Sequence, residues 1–172
     1  DLKFHDIPNT VRTACLAAAD LGCWMINVHT SGGKAMMEKA ADALSALQSP
    51  PILIGVTTLT SLDNVALKEI GISESAEIHT LRLASLAKEC GLAGVVSSPL
   101  EVSLMRESLG SNFLFVTPGV RPLGANIDDQ ARIATPLEAM AYGASYLVVG
   151  RPITSAPNPA SALAAINEEL VY

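Results

Sequence analysis

The sequence predicts an α/β fold built on a parallel sheet, and three observations carry that expectation. Short β-branched runs alternate with longer Ala-rich segments of helical period. The short runs are apolar throughout instead of alternating, which implies burial on both faces and therefore parallel pairing. Nearly every run is followed at once by a small, polar or Gly-rich stretch. Polar groups at the carboxyl ends of almost all strands are the arrangement of a (β/α)8 TIM barrel's working face. A doubly wound sheet would gather them at one switch point, and no GxGxxG fingerprint occurs.

Taken in order, the chain opens on Asp1-Leu2-Lys3, which reads as the end of a strand, with Asp1 and Lys3 on one face. Ile7-Pro8-Asn9-Thr10 turns it into a helix over 9–21. A strand over 23–29 (CWMINVH) leads into His29-Thr30-Ser31-Gly32-Gly33 and a helix over 33–47. The strand 52–57 (ILIGVT) runs into Thr57-Thr58-Leu59-Thr60-Ser61, followed by a helix over 73–90 that stops at Gly91. Strand 94–97 meets Ser97-Ser98-Pro99 and a helix over 100–109, with Gly110 as its stop. Strand 114–117 opens an aperiodic loop over 118–135, and a helix over 136–142 ends at Gly143. Strand 146–150 closes on Gly150-Arg151-Pro152, and Asn158-Pro159 caps a final helix over 158–170.

These are five complete strands plus the opening remnant, where a TIM barrel has eight. The expectation is therefore a single domain over 1–172, an incomplete barrel running from the end of strand 3 through strand 8. It would lack about two and a half β/α units. The edges of an unclosed sheet pair promiscuously, so residues 1–172 alone are expected to be aggregated or inactive.

Composition narrows the function. The 172 residues are 49% hydrophobic and 16% charged, the profile of a folded enzyme-like domain. A net charge of −6 with no Lys/Arg cluster argues against nucleic acid as a partner. No apolar run approaches the roughly 18 residues of a membrane helix. Cys15, Cys23 and Cys90 are odd in number, widely spaced and set among apolar residues, so they read as reduced, buried thiols in a cytoplasmic setting. No CxxC or HxxxH spacing occurs, which disfavours a metal site.

Three stretches carry candidate chemistry. In Asp1-x-Lys3-x-x-Asp6, clustered carboxylates would favour a charged lysine, a proton donor held between anions rather than a Schiff-base nucleophile. By spacing alone an exposed strand end with unrelated charges fits equally well. Gly150-Arg151, after the last strand, sits where barrels of this kind bind phosphate, though an isolated Gly-Arg pair also fits a solvated arginine beside Pro152. The loop 118–135 offers Gly119, Arg121, Gly124 and Gln130 as groups that close over a ligand, or it is a plain connector. His29 is either an acid–base group or a hydrogen-bonded structural histidine. Ser31-Gly32-Gly33-Lys34 lacks P-loop spacing. His79 is expected at the surface, and Met36-Met37 in the core.

With these motifs in place, the sequence resembles the orotidine 5′-phosphate decarboxylase family. The resemblance is carried by DLKFHDIPNT (1–10), VHTSGG (28–33), VTTLTS (56–61), VTPGVRP (116–122) with DQ (129–130), and VVGRPIT (148–154). It implies a cofactor-free, metal-free carboxy-lyase converting orotidine 5′-monophosphate to UMP. By motif, Asp1 stands beside the scissile carboxylate, and Lys3 stabilises the C6 carbanion and delivers the proton. Asp6 and Thr10 reach across a homodimer interface into the partner's site, and Ile7 is a substrate-contacting position. Thr60 matches a pyrimidine contact, Pro118 and Gln130 match lid positions, and Arg121, Gly150 and Arg151 match nucleotide and phosphate contacts. The family's array also holds a ribose-binding Asp and a second Lys, to which no position here corresponds. A Mg²⁺-dependent sugar-phosphate decarboxylase or aldolase of the same barrel suite shares D-x-K-x-x-D, but Thr60, Gln130 and the I-P-N-T tail argue against it. A non-catalytic barrel fragment is the alternative of a different class.

Overall fold

The computed structural model describes residues 1–122 and 133–170. Five strands, β1 (Met25–His29), β2 (Ile52–Val56), β3 (Gly94–Val96), β4 (Leu114–Thr117) and β5 (Tyr146–Leu147), pair in chain order, every pair parallel. Sequential order without reversal means that the described sheet winds in one direction, so the doubly wound alternative fails. Phe4 adds a parallel bridge to Val28. Its N–H donates to Asn27 O at 3.1 Å, and His29 N–H donates to Phe4 O at 2.9 Å. The opening residues therefore lie along the outer edge of β1.

Eight α-helices accompany the strands among the described residues: α1 (Pro8–Asp20), α2 (Lys34–Ser45), α3 (Asn64–Glu69), α4 (Ala76–Glu89), α5 (Pro99–Leu109), α6 (Pro136–Ala141), α7 (Arg151–Thr154) and α8 (Pro159–Glu169). Their starts follow from capping chemistry. The side chains of Asp63, Ser75, Ser98, Thr135 and Asn158 accept first-turn N–H groups, and Thr135 with Glu138 closes a full capping box. Proline begins α1, α5, α6 and α8, where its missing N–H costs nothing.

One face of the sheet builds the core. Ile26, Val28, Leu53, Val95 and Phe115 pack against Val11 and Cys15 of α1, Met36 and Met37 of α2, Ala84 of α4 and Met105 of α5. The alternate positions form the other face, on which His29, Val56, Val96, Val116 and Tyr146 fall in one row of register partners. In a flat sheet β1 and β5 would stand roughly 19 Å apart. Yet the rings of Trp24, just before β1, and Tyr146 meet edge to face at 5.2 Å. The sheet is therefore strongly curled, with this second face on the inside.

Several expectations need correction. The strand expected over 23–29 starts at Met25, and the one expected over 146–150 ends at Leu147. Val148 still donates to Thr117 O at 2.9 Å. The helix expected from residue 73 starts at Ala76, because Ser75 is its cap. Short α3, α7 and the 3-10 turn Thr30–Gly32 are too brief to leave a periodic signal. Met36, Met37, Cys15 and Cys90 are buried as expected, but Cys23 is half-buried. His79 is not a surface residue: its side chain is only 16% exposed and its Nδ1 lies 3.9 Å from Glu74 Oε2.

Candidate active site

The parallel sheet places the carboxyl ends of all its strands at one end, and most candidate residues sit there. Lys3 and Asp1 form an ion pair at the edge of β1, with side chains 41% and 56% exposed. Asn27, an inward position of β1, engages both residues. Its Nδ2 donates to Asp1 Oδ1 at 2.5 Å, and its Oδ1 accepts the Lys3 backbone N–H at 2.7 Å. Lys3 has φ of 46°, the one non-glycine left-handed backbone among the described residues. That conformation costs about 1–2 kcal/mol, while an exposed ion pair contributes at most about 1 kcal/mol. The local hydrogen bonds must offset the difference. A cavity of about 250 Å³ opens beside the cluster, lined by Asp1, Leu2, Met25, Asn27, Ile54 and Val116.

Asp6 does not join this pair within the described chain. Its Oδ1 accepts the Ile7 N–H at 2.6 Å at the entrance to α1, so one carboxylate and not two flanks Lys3. Ile7 is 68% exposed, and Thr10 is exposed on the first turn of α1.

His5 and His29 stack with ring centroids 5.3 Å apart and 28° between planes. Burial, then the neighbouring charges of His5 and Lys3, hold the His29 imidazole below its ordinary value. Gly32 seats this arrangement. A Cβ there would lie 2.2 Å from Met36 Sδ and 3.2 Å from His5 Cδ2. The motif 28–33 thus packs directly against the motif 1–10.

The remaining candidates follow the other strands. Thr60 is buried in the loop after β2. Beside it Thr57 Oγ1 donates to Val96 O at 2.7 Å, and among the described residues Thr58 Oγ1 is buried without a hydrogen-bond partner. After β4, Pro118 is half-buried and Arg121 is buried, its guanidinium donating to Val120 O at 3.0 Å. Gly124 and Gln130 lie outside the described residues. After β5, Gly150 caps α7 and Arg151 begins it, both exposed. Among the described residues, a Cβ at Gly150 would meet no atom within 4 Å.

A larger cleft of about 430 Å³ lies between the starts of α3, α4 and α5. Its carboxylates Asp63, Glu77 and Glu101 make it a poor seat for an anion. Among the described residues no three His, Cys, Asp or Glu side chains converge as metal ligands. Sequence reasoning missed Asn27. The available signal was a polar residue inside the apolar run CWMINVH, two positions before His29 and so on its face.

A model of the family described as orotidine 5′-phosphate decarboxylase / HUMPS family matches residues 1–166. The chain is 56% identical over 168 residues to the orotidine 5′-phosphate decarboxylase of Pseudoalteromonas atlantica, covering 97% of this chain and 73% of that protein. It is 56% identical over 170 residues to the enzyme of the same name from Nitrosococcus oceani, covering 99% and 73%. The crystal structure of orotidine 5′-phosphate decarboxylase from Lactobacillus acidophilus superposes with a TM-score of 0.84 at 42% identity. That match covers 99% of this chain and 73% of the other.

Proposed function

The chain belongs to the orotidine 5′-phosphate decarboxylase / HUMPS family, and on that premise we propose that it decarboxylates orotidine 5′-monophosphate to UMP. The observation that carries the reading is the Asp1–Lys3 pair, fixed at the edge of β1 beside a cavity. An anion–cation pair of this kind suits a reaction in which a carboxylate departs and a carbanion takes its place.

The chemistry follows from charge. The substrate carboxylate at C6 lies beside the Asp1 carboxylate, and their repulsion disfavours the bound ground state. Breakage of the bond from C6 to the carboxyl carbon releases CO₂ and leaves the electron pair on C6. The Lys3 ammonium stabilises that charge and donates its proton to C6, and the lysine recovers a proton from solvent. Arg151 clamps the phosphate, and Gly150 lets the phosphate approach the backbone. Arg121 supports the nucleotide, Thr60 contacts the pyrimidine, and Pro118 and Gln130 belong to a loop that closes over it. Ile7 contacts substrate at the start of α1. Asp6 and Thr10 serve the partner's site in a homodimer, which accounts for an Asp6 carboxylate that leaves Lys3 alone. Three free cysteines suit a reducing compartment, the cytoplasm. No helix among the described residues is long and apolar enough to cross a membrane.

The test is to follow orotidylate consumption and CO₂ release by the protein that carries residues 1–172. One UMP and one CO₂ should form per orotidylate consumed. Arg151→Ala should weaken UMP binding by roughly 10- to 100-fold, the worth of a charge-assisted phosphate contact. Tight UMP binding with no CO₂ released would contradict the proposal.

A further inference from the structure

We infer that Asn27 is a positioning residue for the decarboxylation, holding the Asp1 carboxylate and the Lys3 backbone in fixed relation. The inference rests on the function proposed above. One planar amide spans the pair: Nδ2 grips Asp1 Oδ1 at 2.5 Å and Oδ1 receives the Lys3 N–H at 2.7 Å. The Lys3 backbone stands at φ 46°, which a lysine does not hold unless its surroundings impose it. Backbone pairing supplies the outer restraint, with Phe4 N–H on Asn27 O and His29 N–H on Phe4 O. That ladder fixes residue 4 and leaves the Lys3 amide free to meet the side chain of Asn27. Asn27 is itself anchored in β1 by its register against Ile54. The amide is therefore a rigid reference mounted on the sheet, while Asp1 and Lys3 lie on an exposed edge.

Both members of the pair are needed in one geometry. Asp1 acts on the substrate carboxylate and Lys3 on the atom that the carboxylate leaves. A misplacement of about 1 Å at such a pair costs on the order of 100-fold in rate. UMP has no carboxylate at C6, so product binding should not sense the loss of Asn27.

The experiment compares wild type, Asn27→Leu and Asn27→Asp in the protein that carries residues 1–172. The leucine removes both hydrogen bonds at similar volume. The aspartate keeps the acceptor for Lys3 and replaces the donor to Asp1 with a like charge, so it serves if the leucine variant does not fold. The expected result is a kcat lowered roughly 10- to 100-fold in each folded variant, with the Kd for UMP within about twofold of wild type. A kcat within about twofold of wild type would overturn the inference, and so would a loss of UMP affinity parallel to the loss of kcat. A wild-type protein inert toward orotidylate would overturn both this inference and the function on which it rests. Active wild type with an equally active Asn27→Leu would overturn the inference alone.

Discussion

At the scale of single residues, His29 gives the clearest dependence on conditions. Burial, with His5 and Lys3 nearby, holds its imidazole below the ordinary value of 6.5. The unfolded chain therefore takes up a proton at a pH where the folded chain does not. The stability that follows from a neutral His29 is present above 6.5 and is lost as pH falls below 6.5 through the folded value. The midpoint of thermal unfolding should drop on going from about pH 7.5 to about pH 5.5, and His29→Phe, which keeps a ring but cannot titrate, should drop less. Equal drops in the two proteins would contradict this. Gly150 offers a second test. Among the described residues no atom lies within 4 Å of its missing Cβ, so Gly150→Ala should weaken nucleotide binding by roughly tenfold while lowering thermal stability by far less than a core substitution does. Lys3 and Gly150 were legible as candidates because charge and glycine stand out at strand ends. Asn27 was not, because its importance lies in two hydrogen bonds to residues 24 and 26 positions away.

At the scale of elements, the strands were legible because continuous apolar runs bounded by Gly, Pro and Ser have few alternative readings. Their ends were less so, since pairing partners and not propensity decide where a ladder stops. Gly94 shows what the sequence withholds. It reads as an ordinary strand opening, yet a Cβ there would lie 2.3 Å from Leu114 O, a backbone atom of the neighbouring strand. Gly94→Ala should destabilise by about 3 kcal/mol in denaturant titration, because the β3–β4 ladder cannot yield without losing hydrogen bonds. Arg106 is a second such residue. From α5 its guanidinium donates to Ser111 O and Phe113 O, both at 2.8 Å, and to Gly143 O at 2.5 Å, and it lies 4.5 Å from the centre of the Phe115 ring. It ties the turn before β4 to the turn before β5. Arg106→Met should cost about 2–4 kcal/mol in the same titration, since several carbonyls lose their donor together. A loss below about 0.5 kcal/mol, typical of an unremarkable surface change, would contradict that role.

At the scale of the whole molecule, the α/β class, the parallel sheet and its one-directional winding follow from alternation and from where polar residues fall. The curl that brings Trp24 to Tyr146 does not, because it sums small twists over five strands. Neither does the cavity beside Asp1, which exists only once the curl of the sheet brings the inward residues of β1, β2 and β4 around one space. The proposed chemistry uses the protein's own charges, so saturating EDTA should leave turnover unchanged; loss of activity restored by Mg²⁺ would favour the sugar-phosphate relatives instead. In the proposed mechanism Lys3 stabilises the carbanion and delivers the proton to C6. Its most direct test is Lys3→Ala in the protein that carries this chain, read as CO₂ release from orotidylate alongside UMP affinity. In that variant kcat should fall at least about 1,000-fold, the combined worth of charge stabilisation and proton transfer, with UMP still bound. Turnover within about tenfold of wild type in that variant would contradict it.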